Sequence, residues 1–324
     1  MNYFSPLKGF TDIFSYTLNN DIQDGLVEYF DWGLLDKGNY FNVVLGELSP
    51  EGEDYSRLRL SSNPNYSQGQ VWEGFRKNWV WQSGVQYSPA PIVGDNNEKP
   101  GISGVYVDDV FYSSDTTGQY SHFVDYKNGS ITFNNAIPVD SKVQAEHSYK
   151  WINVVYANDV PWLKEVQLDT QHPNSNFYDK DKGSWNVPTE SRLQLPAIAI
   201  EVVPARTFKG YQLGAGQIVY TDVLFHCIAE DEVTRNKLVD IVSLQNNKTI
   251  YLHNSNAINS NNDYPMDYRG VPISGALQYP DLVNEYPGGR LFFKNSNVQN
   301  MTLIDSNIFG GIVRVTTEGI KLNI

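Results

Sequence analysis

The chain has 324 residues, 40% of them aliphatic or aromatic and 19% charged, a composition that excludes a disordered polymer and, at roughly 150 residues per domain, predicts two domains. A formal charge of −13 argues against a surface that grips nucleic acid, since such binding relies on cations to neutralise phosphates. The single cysteine, Cys227, excludes an intrachain disulfide and a thiolate-rich zinc site.

The opening MNYFSPLKGFTDIF has neither the basic start nor the apolar run of a signal peptide, and no stretch is apolar over the roughly 18 residues a membrane helix needs. A soluble protein made in a cytoplasm is expected. Residues 21–37 place Ile22, Leu26, Phe30 and Leu34 about one helical turn apart, which predicts an amphipathic helix capped by Asn20 or Asp21 and ended by Gly38. A strand over 40–45 follows. From 48 to 192, strand-and-turn patterning replaces helical periodicity. Asn128-Gly129 between two β-prone runs predicts a type I′ hairpin. VQAEHSY alternates so that Val143, Ala145, His147 and Tyr149 face a core while Gln144, Glu146 and Ser148 face water.

Residues 197–203 and 217–229 predict two antiparallel strands joined by the glycine-bearing loop RTFKGYQLGAGQ; the second is apolar on nearly both faces and therefore central in its sheet. A helix over DEVTRNKLVDIVSLQ, a strand over 249–254, a long surface excursion over 255–300 and a last strand, GIVRVTTEGIKL, complete the pattern. The fold class expected is α+β and β-rich. A sheet domain over 1–47 and 193–324 is interrupted by an inserted β-sandwich-like module over 48–192.

The strong catalytic motifs, G-x-S-x-G, G-x-x-x-x-G-K-[ST], H-E-x-x-H and G-x-G-x-x-G, do not occur. The five histidines show no metal-ligand spacing, and His226 and His253 read as core or edge residues of neighbouring strands. Asp179 and Asp181 have calcium-loop spacing, but Gly183 and Ser184 break the pattern, so a solvated loop is preferred. Adjacent acids at Asp108-Asp109 and 230–232 do not make a catalytic pair, and Asp231 and Glu232 read as helix-start residues. VWEGFRKNWVW gathers Trp72, Phe75, Trp79 and Trp81, which suits the core of the inserted module better than a sugar platform or protein contact. No catalytic residue, cofactor or metal site is expected.

Two stretches resemble virion structural proteins of tailed bacteriophages. DYSRLRLSSNPNYSQGQVWEGFRKNWVWQSG with SGVYVDDVFY and FVDYKNGSITF looks like the β modules of phage neck and tail proteins. LPAIAIEVVPARTFKGYQLGAGQIVYTDVLFHCIAEDEVTRNKLVDIVSLQ, with the first helix and strand, is similar in element order to tail terminator proteins, although simple terminators lack the inserted module and the tyrosine-rich excursion. The resemblance implies a virion component without catalysis: a homo-oligomeric ring, usually a hexamer, that caps the tail tube and joins it to the neck and head-tail connector.

Partners would be further copies, tail tube or sheath, and neck proteins, and DNA would slide through an acidic lumen without specific binding. Contacts are expected at Tyr211, Gln212 and Leu213 and at Tyr264, Tyr268 and Tyr279, because tyrosine adds contact area with few rotatable bonds. Edge strands would suit β-augmentation between subunits. The alternatives are a baseplate, fibre-adaptor or host-binding tail component, and, from another class, a carbohydrate-active enzyme.

Overall fold

The computed structural model describes residues 18–46, 48, 50, 52–82, 102–160, 178–179, 184–185, 193–210, 217–273, 275–305 and 308–321. In chain order the elements are α1 (Leu18–Asp36), β1 (Tyr40–Val43), β2 (Arg59–Leu60), β3 (Val71–Glu73), β4 (Gly104–Val107), β5 (Val110–Ser113), β6 (His122–Asp125), β7 (Ser130–Phe133), β8 (Val143–Gln144), β9 (His147–Lys150) and β10 (Asn153–Tyr156). There follow β11 (Tyr178–Asp179), β12 (Ser184–Trp185), β13 (Ala197–Gly210), β14 (Gln217–Ala229), α2 (Glu232–Ser243), β15 (Thr249–His253), α3 (Ser255–Asn261), α4 (Tyr279–Glu285), β16 (Pro287–Asp305) and β17 (Ile308–Lys321). The protein is α+β and β-rich.

Two compact units form: Met1–Asp31 with Asn153–Asp263 and Tyr279–Ile324, and Trp32–Ile152 with Tyr264–Gln278. The expected insert and the second unit share 48–152. That unit also takes in 32–47 and Tyr264–Gln278, and the first unit begins again at Asn153.

The first unit is built on a six-stranded sheet in the order β10-β13-β14-β17-β16-β15. β10 runs parallel to β13 and the other pairings are antiparallel. β14 pairs along both sides, as a strand apolar on both faces should. Val219, Thr221, Val223, Phe225 and Cys227 are all buried on one face, where Phe225 meets Phe30 of α1 at 5.1 Å and Phe293 of β16 at 6.1 Å. On the opposite face Ile228 packs with Ala199, Ala157 and Val160.

α2 packs against β14 and β17. Its N-cap is Asp231, whose Oδ1 accepts from the Thr234 amide at 2.8 Å; bonds from Thr234 hold that carboxyl below the usual range. Inside α2 the buried Arg235 donates through Nη1 to the Gly310 carbonyl at 3.2 Å and through Nη2 to Glu232 at 3.0 Å. α1 starts earlier than its periodicity predicts, so Asn20 and Asp21 lie within it, and Asp21 Oδ1 accepts from the Ser255 amide instead of capping its own helix. Gly38, at φ +96°, ends α1 in the left-handed region as expected. Gly25 lets α1 approach β15 closely: a Cβ there would stand 2.6 Å from Leu252 Cδ2.

Three expectations for this unit are corrected. The strand from 197 does not stop at 203 but continues to Gly210, so residues 206–210 of the expected loop are paired with β14. The surface excursion over 255–300 contains α3, α4 and most of β16. His226 and His253 are both buried but do not lie on neighbouring strands, because β17 and β16 come between β14 and β15.

In the second unit, one core draws on the sheet β2-β3-β7-β6 and the sheet β5-β4-β8, through Trp72, Trp79, Val105, Val124, Ile131 and Val143 among others. Both indoles find partners in the interior, Trp72 Nε1 donating to the Gly69 carbonyl at 3.1 Å and Trp79 Nε1 to that of Arg76 at 2.9 Å. Met266 packs on the same core, and the Tyr126 amide donates to the Gly270 carbonyl at 3.0 Å, tying Tyr264–Gln278 into the unit. β1 pairs with β9.

The β6–β7 hairpin forms where expected, but its turn is not type I′. Asp125 pairs with Ser130, leaving four loop residues, of which only Gly129 has positive φ (64°). Asp125 holds this loop by accepting from the Asn128 amide at 2.9 Å and from Asn128 Nδ2 at 2.7 Å. A Cβ on Gly129 would fall 2.4 Å from the Arg76 carbonyl. The two-residue turn with positive φ at both positions joins β4 to β5 and uses Asp108 (50°) and Asp109 (66°). The VQAEHSY alternation holds on its core side at Val143, Ala145 and His147, but its water side is overturned: β8 and β9 are separate strands, and Gln144 and Ser148 are buried, with Gln144 Nε2 donating to Asp54 at 2.7 Å and to Ser56 Oγ at 3.1 Å.

Phe225→Ala should destabilise the protein by about 3–5 kcal/mol, read as a lower denaturation midpoint, because the cavity opens against α1 and β16 together. His147 gives a pH prediction. It is fully buried, stacked at 4.2 Å on Trp79, with Nδ1 at 3.0 Å from the Ala145 carbonyl, and burial pushes it down to about 4. The exposed ring of the unfolded chain titrates near 6.5, so on acidification the unfolded state takes up its proton first. This contribution to stability is therefore complete above about pH 6.5 and is lost as pH falls toward 4. Burial lowers His122 as well. Urea unfolding followed from neutral pH to about pH 4 should show this fall, and His147→Phe should remove part of it.

Candidate assembly surfaces

The unit-one sheet ends in β15 on one side and in β10 on the other. β15 buries Ile250 and Leu252 and turns Thr249 and Tyr251 outward. An edge strand offers unpaired main-chain groups to any passing strand. Here α4 intervenes: the Tyr279 hydroxyl donates to the Tyr251 carbonyl at 2.9 Å, and its ring stands edge-on to Tyr29 at 5.5 Å. Burial pushes the Tyr279 phenol up to about 12.

Tyr279, expected as a surface contact, is only 8% exposed and braces the edge from within, because α4 turns it and Leu282 inward. Beside it lies a cleft of about 480 Å³ lined by Tyr251, Pro280, Val283, Pro287 and Arg290, with the Arg290 guanidinium 5.1 Å over the Tyr251 ring. Its lining offers neither a nucleophile paired with a base nor a metal-ligand set.

Tyr264 and Tyr268 belong to the other unit and are exposed, Tyr268 at 96%. Arg269 sits 5.7 Å from the Tyr268 ring and 5.0 Å over Phe123, and its Nε donates to Asp267 at 2.8 Å. Burial alone would raise the Asp267 carboxyl, but bonds from Arg269 and Val271 outweigh it and leave it below the usual range. Tyr211, Gln212 and Leu213 lie outside the described residues, as do Asp181 and Gly183.

Sequence reasoning missed an aromatic surface. Of the residues grouped in VWEGFRKNWVW, Trp72 and Trp79 enter the core and Trp81 packs against it. Phe75 instead stacks on Tyr55 at 4.5 Å and meets Tyr149 at 5.2 Å. Across the β1–β9 pair, Phe41 stands 5.7 Å from Tyr149 and 5.6 Å from Trp151. Arg76 lies 5.6 Å over Tyr149 and 5.1 Å over Trp151, and donates to the Trp151 carbonyl at 3.0 Å. Phe41 is 51% exposed and Trp151 38%. The alternation of Tyr149 and Trp151 was a signal for one strand face, but Phe41 joins it only through the β1–β9 register.

Among the described residues no three His, Cys, Asp or Glu side chains are grouped to share a metal ion, and no helix is long and apolar enough to cross a membrane. The Cys227 thiol is fully buried and pushed up to about 12, which leaves it unreactive. His226 Nε2 stands 3.1 Å from Glu201 Oε2, from strand to strand within the sheet. No protein-family model matches the sequence, and no curated protein matches it.

Tyr279→Phe should cost about 1 kcal/mol, since the Tyr251 carbonyl loses its donor while the ring remains. Thermal unfolding measures the loss, and hydrogen exchange on β15 should rise with it.

Proposed function

We propose that the protein is a structural subunit of a tailed-phage neck or tail, one copy of a ring that caps the tail tube and joins it to the head-tail connector. The observation that carries this reading is the aromatic surface of Phe41, Tyr55, Phe75, Tyr149 and Trp151 with Arg76. Tyrosine, tryptophan and arginine are the side chains that dominate binding energy at protein contacts, and here Phe41 and Trp151 are exposed beside the half-buried Tyr55, Phe75 and Tyr149. The charge of −13 supports a lumen wall from which DNA is repelled. The resemblance in element order to tail terminators supports this place in the particle, and a hexamer is the oligomer proposed.

The exposed Phe41 and Trp151 favour a second reading, a baseplate or host-binding component in which this surface faces outward. Immunogold electron microscopy of particles from the source, with antibody against this chain, separates them. Label at the head-tail junction is the expected result. Label at the distal tip selects the second reading, and particles without label overturn both. Phe41→Ala with Trp151→Ala should lower incorporation into particles while leaving the unfolding midpoint nearly unchanged, because both side chains are partly in water already.

A further inference from the structure

We propose that copies of this chain associate head to tail by strand addition, the free edge of β13 in one copy accepting β5 of the next. The proposal rests on the ring reading above and names the surfaces that would close the ring.

β10 covers β13 only from Ala197 to Ile200. Beyond that point no described strand pairs with the outer side of β13, and residues 204–210 are all exposed. Val203 has its carbonyl taken by Thr221 Oγ1 at 3.0 Å, Pro204 has no amide hydrogen, and the register shifts between Val202 and Arg206. An incoming strand therefore has 206–210 to pair with. That segment carries Arg206 and Lys209, no acid, and Phe208 at 51% exposure.

β5 is the terminal strand of its own three-stranded sheet and, among the described residues, pairs only with β4. Val110 and Phe111 are 54% and 45% exposed. The residues around it are acidic: Asp108, Asp109 and Asp115 stand against one cation, Lys142, held 2.8 Å from Asp109.

The charges decide which pairing forms. Two β13 edges would set Arg206 and Lys209 against their own copies, and two β5 edges would oppose aspartates, so both like pairings are disfavoured. The β13–β5 pairing joins opposite charges and covers Phe208, Val110 and Phe111. Because the two surfaces differ, the contact is heterologous, and a heterologous contact propagates into a closed ring or an open filament instead of stopping at a dimer.

The test uses the full chain with cysteine at Phe208→Cys in one preparation and at Phe111→Cys in another, the native Cys227 being buried and unreactive. Under mild oxidation the mixture should give disulfide-linked dimers, and neither preparation alone should. In parallel, Arg206→Glu with Lys209→Glu should raise the dissociation constant for self-association roughly tenfold or more by sedimentation, with the wild-type association weakening in high salt. Association at unchanged affinity without the mixed cross-link overturns the edge assignment and leaves the ring reading standing. A chain that stays monomeric and uncross-linked also overturns strand addition, while the ring reading is decided separately by the labelling of particles.

Discussion

β14 must keep one face out of water from Val219 to Cys227 and bury the other at its Ala229 end, and the first unit is arranged to meet that demand. It has a strand on each side, and Ile228 on its second face packs with Ala199, Ala157 and Val160. Phe225, held between Phe30 and Phe293, fixes where α1 and β16 stand relative to β14. Arg235 adds a polar tie, since a buried guanidinium must have its donors satisfied, and the Gly310 carbonyl and Glu232 both accept from it.

The second unit resolves a different problem, the placing of many rings in a small β-rich body. Rings on the inward face of β3 and its neighbouring turn go to the core, where the indole nitrogens of Trp72 and Trp79 find main-chain acceptors. Phe41, Tyr149 and Trp151 lie nearer the surface and pack on one another around Arg76. The inner set fills the core, and of the outer set Phe41 and Trp151 are exposed. His147 belongs to the inner set: its stack on Trp79 is an apolar contact that favours the neutral ring.

The edges of the large sheet are treated unequally. At β15 a tyrosine hydroxyl occupies an outward main-chain carbonyl, which closes that edge to further strands at its centre. At β13 a proline and a register shift spoil the middle of the strand, but among the described residues no strand covers the outer side of 206–210, which are exposed and basic. A protein that protected itself fully against edge pairing would treat both alike, and this asymmetry is the physical basis for reading β13 as a contact edge.

By itself the sequence determined the β-rich α+β class, the first helix with its glycine stop, the acidic start of α2 at Asp231, and the central position of β14. Each of these follows from local periodicity or from a side chain acting on its own neighbours in the chain. Tertiary structure decided the rest. Asn128-Gly129 carried the stronger local signal for a tight turn, yet that turn formed at Asp108-Asp109, where Lys142 supplies an amide donor to Asp108 Oδ1. Tyr279 looked like one more surface tyrosine in a polar stretch, and only the packing of α4 against β15 sent it inward. The aromatic surface joins residues 41, 55, 75, 149 and 151, whose proximity depends on strand register, and register is a property of paired strands that no single segment encodes.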